Sequence, residues 1–227
     1  MNWPVNRDIA MSDARANILA RLRAAPRTAP PERPDWTPPV FGEGRLERFR
    51  AMLGSVHGEV VETTLAAWPE RLAALLAERG VRRVLYGPAA PVGAQLGRAW
   101  MADADAPTLV PYDRSIEEMK AELVHTVEAG VTSVRWGIAE TGSLVLWPDA
   151  AEPRLMSLLP PLHVAVMAAS GLHDSLAQLV AEQGWAGAMP TNALLISGPS
   201  KTADIEQTLA YGVHGPKELL VLVLTDQ

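Results

Sequence analysis

The sequence predicts an α/β fold in which a mostly parallel sheet is covered by helices. Segments with apolar residues at helical spacing alternate with short apolar runs, a pattern typical of parallel sheets. The run at 162–168 is almost continuously apolar, as in a strand buried on both faces. The predicted helices cover residues 45–56, 69–79, 92–101, 116–123, 174–183 and 202–209. The predicted strands cover residues 82–86, 108–112, 142–147, 162–168, 193–197 and 218–224.

Residue choices at the ends of these segments support their assignment. Pro69 suits the first turn of a helix, and Gly80 suits the position after the last turn. Ser115 is a typical N-cap, and Glu117 and Glu118 follow it where the helix dipole favours acids. These signals predict separate helices joined by short turns.

The first forty residues differ in character from the remainder. Residues 8–24 have the spacing of a helix, whereas residues 26–39 are rich in proline, which fixes φ and lacks an amide donor. We therefore expect residues 1–40 to form an N-terminal helix and proline-rich arm. Residues 41–227 are expected to form the globular domain.

Charge and composition exclude several classes of function. The net charge is −6, and residues 51–227 carry eleven basic and twenty acidic side chains, which argues against nucleic acid as the main partner. The sequence has no cysteine, so it cannot form a disulfide or hold a cysteine-ligated iron–sulfur cluster. No signal segment or apolar run long enough for a membrane span is evident. We expect a cytoplasmic protein without a membrane span.

An acidic turn precedes the strand predicted at 142–147. Glu140 lies in the loop before that strand and is followed by Thr141 and Gly142, and glycines allow backbone to approach a ligand closely. A carboxylate in such a loop can act as a base or as a nucleophile. The alternative is a structural turn in which the Glu140 side chain accepts hydrogen bonds from backbone amides.

A second motif reads as strand, tight loop and helix over residues 196–206. The free amides of a helix start, together with hydroxyl groups and a lysine, make a typical anion site. The alternative is simple N-capping, with an aspartate complementing the helix dipole. The candidate ligand-binding residues of this motif are Gly198, Ser200, Lys201, Thr202 and Asp204.

Histidines suggest one further candidate. His214 lies between glycines just before the last strand, where it could transfer protons; the alternative is a loop histidine bonded to backbone. His163 lies inside an apolar strand and is predicted to be a core histidine with its hydrogen bonds satisfied. No two histidines have metal-ligand spacing, so no metal site is predicted. No cofactor is predicted for this chain either.

The motifs taken together resemble the LUD-domain family, of the lactate-utilisation protein C type, most strongly over residues 110–225. The resemblance implies a fold of the NagB/RpiA/CoA-transferase type. It also implies a role in bacterial oxidation of L-lactate to pyruvate, with iron–sulfur proteins as partners; a catalytic and a non-catalytic role are both compatible with the motifs. The matching segments are 139–142, 157–160 with His163, 197–206 and 212–216.

A sharper expectation follows from CoA-transferases of related fold, which carry a nucleophilic glutamate in a Glu-Asn-Gly turn. Glu140-Thr141-Gly142 resembles that turn, so Glu140 would take the same place, with Lys201 holding an anionic group and His214 nearby. The alternative function is a stand-alone enzyme or sensor for a small anionic metabolite such as a CoA ester or a sugar phosphate. The sequence does not indicate an oligomeric state.

Overall fold

The computed structural model describes residues 9–26, 35–101, 103–203 and 209–227. The chain divides into two compact units, Met1–Thr37 and Pro38–Gln227. The first unit contains helix α1 (Ile9–Ala24), which confirms the helix predicted for residues 8–24. Within the described ranges, no helix has both the length and the apolar character needed to span a bilayer.

Five of the seven helices that the structure describes in the second unit begin and end close to the positions that their sequences predict, and the two four-residue helices were not predicted. In the fourth of the seven, the Ser115 hydroxyl accepts a hydrogen bond from the Glu118 amide, and the Glu118 carboxylate accepts one from the Ser115 amide at 3.1 Å. This capping box satisfies backbone donors that a helix start leaves free. The helices are α2 (Arg45–Gly54), α3 (Trp68–Glu78), α4 (Pro91–Trp100), α5 (Ile116–His125), α6 (Leu155–Leu158), α7 (Leu176–Glu182) and α8 (Trp185–Ala188).

The strands of the second unit form two sheets and a separate hairpin. They are β1 (Gly58–Thr63), β2 (Arg83–Tyr86), β3 (Thr108–Pro111), β4 (Ala129–Ser133), β5 (Trp136–Ile138), β6 (Ser143–Leu146), β7 (Leu162–Ala168), β8 (Leu172–His173), β9 (Leu194–Ile196), β10 (Lys201–Ala203), β11 (Leu209–Tyr211) and β12 (Glu218–Leu224).

The central sheet is parallel throughout, in the order β1-β12-β7-β4-β2-β3. Leu162, the first residue of β7, pairs with Glu218 of β12 on one side and with Ala129 of β4 on the other. Because β7 has a paired strand on each side, it lies in the interior of the sheet, which explains its continuous apolar sequence. The predicted α/β class with a mostly parallel sheet is confirmed.

The two faces of the central sheet are covered differently. Helices α3 and α4 pack on one face, where Trp68, Leu72 and Leu96 contact side chains of β2, β4, β7 and β12. Helices α2 and α5 cover part of the other face, with Phe49 of α2 fully buried. The second sheet covers the rest of that face. The sequence predicted helices as the cover and did not predict this second layer of strands.

The second sheet has the order β8-β5-β6-β9, with β6 antiparallel to both of its neighbours. Its outer side carries Trp136, Trp147 and Trp185, and the rings of the first two meet edge to face with centroids 5.0 Å apart. Its strands are two to four residues long, which is too short for a clear alternation of apolar and polar residues. The sheet therefore escaped prediction apart from β6 and β9.

The helix predicted at residues 202–209 is wrong at both of its described ends. Lys201–Ala203 forms β10, which pairs antiparallel with β11, so that Lys201 lies opposite Tyr211. The preceding loop is also tied by backbone hydrogen bonds, from the Ser200 amide to the Pro216 carbonyl and from the Gly212 amide to the Ser200 carbonyl, each 2.9 Å long. Pairing with the next strand along the chain overrides the local capping signal, and the helix start expected as an anion site does not form.

Candidate functional site

A cavity of about 220 Å³ lies between the two sheets and collects parts of the predicted motifs. Gly198, Ser200 and His214, which were predicted as site residues, all line it. We call it the motif cavity. Its wall is formed by Ser157, Leu158, His163, Leu195, Ile196, Ser197, Gly198, Pro199, Ser200, His214, Gly215, Pro216 and Leu219.

The loop at 197–200 is shaped by a glycine that no other residue could replace without strain. Gly198 has φ +135°, and a Cβ atom there would lie 2.8 Å from Cγ2 of Val56. Both the backbone angle and the close approach of Val56 therefore require glycine. This is a contact within the protein, and it positions the neighbouring Ser197 and Ser200 at the cavity wall.

A chain of hydroxyl groups connects the acidic turn to the motif cavity. The Thr141 and Ser143 hydroxyl oxygens are 2.7 Å apart, and the Ser143 and Ser197 hydroxyl oxygens are 2.6 Å apart. Ser143 is buried, whereas Thr141 and Ser197 are exposed, so the chain runs from the surface through one buried hydroxyl. Two motifs separated by more than fifty residues in sequence thus meet through three side chains.

Glu140 is held by its backbone, while its carboxylate has no partner among the described residues. Its amide donates to the Asp174 carbonyl at 2.9 Å, and its carbonyl accepts from the Arg48 guanidinium at 3.3 Å. The side chain is half-buried and is not one of the residues that line the motif cavity. Within the described part of the chain, the expected alternative of a carboxylate bonded to backbone amides is not observed.

The Arg45–Asp174 ion pair anchors this region. Arg45 Nε and Nη2 donate to the two Asp174 oxygens at 2.7 and 3.1 Å, and the Phe41 amide donates to the same carboxylate at 3.2 Å. The hydrogen bond from Arg45 lowers the pKa of the buried Asp174 carboxyl below its usual value. The ion pair therefore joins the start of α2 to Asp174, whose backbone carbonyl accepts the hydrogen bond from the Glu140 amide.

Gly142 has a packing role of its own. It has φ +64°, and a Cβ atom at this position would lie 2.6 Å from the Leu53 amide nitrogen. Glycine at this position therefore allows the end of α2 to pack directly against the turn. The sequence did not suggest this contact. The predicted contacts of Thr141 and Gly142 with a ligand stay predictions.

His163 is the core histidine of an apolar strand that the sequence predicted, but its hydrogen bonding is incomplete among the described residues. It is 1% exposed, and its Nε2 lies 2.8 Å from the Thr132 hydroxyl. Its buried Nδ1 has no hydrogen-bond partner among the described residues, so the predicted full satisfaction of this side chain is wrong. Burial lowers the pKa of His163 to about 4, which keeps the ring neutral at neutral pH. Because the ring also lines the motif cavity, His163 is a candidate site residue that sequence reasoning missed.

Lys201 and Thr202 lie at the start of β10, outside the lining of the motif cavity. Their predicted role in holding an anion no longer has a helix start to support it, and it stays a prediction. Asp204 lies outside the described residues. In the described ranges, no three histidine, aspartate or glutamate side chains gather as a metal site.

The parallel central sheet, with a second sheet enclosing a cavity of loop residues, defines an α/β protein with a candidate binding site between its sheets. Residues 46–224 match the LUD domain, and the chain belongs to the LUD domain family. Membership confirms the resemblance inferred from the motifs.

Similar proteins include two bacterial relatives and one solved structure. An uncharacterised protein of Neisseria meningitidis serogroup B is 35% identical, and the alignment covers 93% of each chain. Lactate utilization protein C of Halalkalibacterium halodurans is 28% identical over 93% of this chain and 96% of its own length. The crystal structure of a DUF162 family protein from Deinococcus radiodurans has a TM-score of 0.57 at 22% identity, covering 82% of this chain and all of that one. This last likeness supports the fold alone.

Proposed function

We propose that the chain is a component of a bacterial system that oxidises L-lactate to pyruvate and acts with iron–sulfur partner proteins. The observation that carries this proposal is the end-to-end match to relatives named lactate utilization protein C, which covers 93% of the chain. The LUD domain match over residues 46–224 includes every element that lines the motif cavity.

The chemistry of the reaction explains why partners are proposed. Oxidation of lactate to pyruvate removes two electrons and two protons, so an electron acceptor must take part. The chain has no cysteine and cannot supply thiolate ligands to an iron–sulfur cluster. In the proposed system, clusters on partner proteins accept the electrons, and this chain contributes a folded binding unit in the cytoplasm.

The motif cavity is the part of the chain that we assign to this role. It combines an apolar lining with a few polar groups, among them His163 and Ser200, as small-molecule sites commonly do. The hydroxyl chain from Thr141 to Ser197 connects the cavity to the turn that holds Glu140. This arrangement supports a shared site for the motifs at 140–143 and 197–200.

Growth on L-lactate tests the role. A strain that lacks the gene is complemented with wild type, Glu140→Gln, Lys201→Ala or His163→Gln, and Glu78→Gln serves as the matched control because Glu78 is exposed at the end of α3. We expect wild type and the control to restore growth, and the site variants to fail at equal protein level. Growth on lactate without any copy would contradict the proposal.

Co-purification tests the partners. A tagged chain is recovered from cells grown on lactate, and iron and acid-labile sulfide are measured in the complex and in the chain produced alone. We expect both elements in the complex and neither in the isolated chain. A complex without iron would contradict the proposed partners while leaving the growth result intact.

The unengaged carboxylate of Glu140 favours a second candidate, a stand-alone enzyme or sensor that binds a small anionic metabolite. Such a ligand stabilises the folded state and raises the melting temperature of the isolated chain. Acetyl-CoA and glucose 6-phosphate are suitable probes, with Glu140→Gln beside wild type. A melting temperature that neither probe changes would count against this candidate.

A further inference from the structure

A second cavity, of about 140 Å³, lies at the carboxyl end of β4, and apart from Ser157 its lining residues lie outside the matching motif segments. It shares the lining residue Ser157 with the motif cavity. In open parallel sheets, ligands commonly bind outside the carboxyl ends of the strands. We call it the arginine cavity, and the residues that characterise it are Thr132, Ser133, Arg135, Trp147, Glu152 and Arg154.

The carboxylates of the arginine cavity are already engaged by the protein. Glu152 accepts hydrogen bonds from the Ser133 amide, at 3.0 Å, and from the Ser133 hydroxyl. Asp149 accepts from the amides of Ala151 and Glu152 at 2.8 and 2.9 Å. Burial also raises the pKa of Glu152, so its ionised form is less favoured than in water. The acids therefore serve the local loop.

The two arginines of this cavity are held differently from its carboxylates. The Arg135 guanidinium carbon lies 4.9 and 4.6 Å from the ring centroids of Trp136 and Trp147, which hold the side chain by cation–π contacts. Neither Arg135 nor Arg154 uses its guanidinium in a hydrogen bond or ion pair with another described residue. The buried indole nitrogen of Trp147 also has no partner in the described ranges. The cavity therefore has hydrogen-bond donors, rather than acceptors, that no described residue engages.

We propose that the arginine cavity binds a small anion that carries a carboxylate or phosphate group, held by the guanidinium groups of Arg135 and Arg154. Guanidinium presents paired donors that match both groups, and stacking on tryptophan orients the Arg135 donors before a ligand arrives. The cavity volume suits a ligand of a few non-hydrogen atoms.

The position of this site gives it a direct connection to the motif cavity. Thr132 lines the arginine cavity, and its hydroxyl meets Nε2 of His163, whose ring lines the motif cavity. An anion bound by the arginines is therefore separated from the motif cavity by one hydrogen-bonded pair of side chains. The site is distinct from Lys201, which lines neither cavity.

Calorimetric titration of the full chain at low ionic strength tests the proposal, with inorganic phosphate and L-lactate as probes. We expect saturable binding of at least one probe at one site per chain. Phosphate binding alone would assign a phosphate ligand, and lactate binding would assign a carboxylate. Arg135→Gln and Arg154→Gln should each weaken binding by about tenfold, the factor that corresponds to loss of one charge-assisted hydrogen bond. Arg98→Gln, exposed on α4, is the matched control and should bind as wild type.

Two results would overturn the proposal. One is the absence of saturation by either probe at millimolar concentration, and the other is unchanged affinity in Arg154→Gln. Arg154 is exposed, so this variant should fold even if loss of the Arg135 stacking destabilises the chain. Because the titration uses the isolated chain and measures no growth, its failure is distinguishable from failure of the lactate role.

Discussion

The central sheet and the second sheet of this protein are stabilised by different kinds of contact. In the central sheet, β7 and β12 are long and apolar, and Val221 and Leu222 are fully buried. In the second sheet, β9 is three residues long and Leu195 is 48% exposed. The Ser143 hydroxyl of β6 also forms a hydrogen bond with Ser197, in the loop that follows β9. Both regions bury apolar side chains, and the second adds specific polar contacts and close backbone approaches next to its edge strand β9.

Strained backbone and a polar group without a described partner occur together at the motif cavity. The motif cavity is built on loops that contain Gly198 and Gly212 at positive φ, and its wall includes His163, whose Nδ1 has no partner among the described residues. Strained or unsatisfied groups persist where surrounding structure holds them and are common at binding sites. The rigid central sheet supplies that support.

The largest expected effect is in the central sheet. Leu222→Ala removes a fully buried side chain from the core formed with α3 and α4, and we expect a loss of about 2–5 kcal/mol of unfolding free energy. Leu195→Ala in β9 is the matched variant, and partial exposure limits its loss to about 1 kcal/mol. Urea unfolding measures both. Equal losses would remove the distinction between the two sheets.

The next effect is a pH dependence that arises from His163. Its pKa is about 4 in the folded chain and 6.5 when unfolded. Between these values only the unfolded chain takes up the proton, so stability is fully present above pH 6.5 and falls as the pH is lowered towards 4. The contribution amounts to roughly 3 kcal/mol.

His163→Gln removes this titration and retains a polar group near Thr132. We expect the stability of the variant to fall less steeply than that of wild type over the same pH range, as measured by urea unfolding at each pH. Parallel curves for the two proteins would show that His163 does not titrate as its burial implies.

Two glycines allow the cost of backbone strain to be measured separately from the cost of steric crowding. Gly142 and Gly184 have nearly the same positive φ, +64° and +60°, but a Cβ atom would meet the Leu53 amide only at Gly142, with nothing within 4 Å at Gly184. We expect Gly142→Ala to cost about 2 kcal/mol more than Gly184→Ala, because it adds a steric clash to a similar strain. Thermal unfolding of both variants checks this. Equal shifts would mean that α2 moves aside without cost.

The smallest expected effect concerns the hydroxyl chain. Ser143→Ala removes the central hydroxyl and leaves Thr141 and Ser197 without their shared partner, for a loss of about 1 kcal/mol. Thr141→Val, at the exposed end, should cost less. Chemical unfolding of the two variants compares them, and a larger loss at Thr141 would contradict a chain centred on Ser143.

Sequence reasoning was most accurate where one local signal determined the element. The bounds of β7 and β12 coincide with the apolar runs at 162–168 and 218–224, and Ser115 caps α5 as its sequence suggested. It failed for β1 and β4. The first is an edge strand that carries the exposed Glu59 and Glu62, and the second is made mostly of small residues, so neither has a strong apolar pattern.

The site was predicted in part. The sequence marked Gly198, Ser200 and His214, and the structure brings them to one cavity. The helix expected after Ser200 is replaced at its start by β10, because residues 201–203 pair with β11 in an antiparallel hairpin and Ser200 bonds to Gly212 and Pro216. Local propensity contains no information about such pairing.

The sequence by itself determined the class of fold and four of the central strands, β2, β3, β7 and β12, because apolar periodicity and capping depend on residues a few positions apart. Only the tertiary structure decided which loops meet and, within the described ranges, which histidine nitrogen lacks a partner and which arginines make no ion pair. Those properties depend on distances between residues far apart in the chain, such as Thr132 and His163 or Ser143 and Ser197. The binding site is therefore a product of packing, while the scaffold beneath it follows from local pattern.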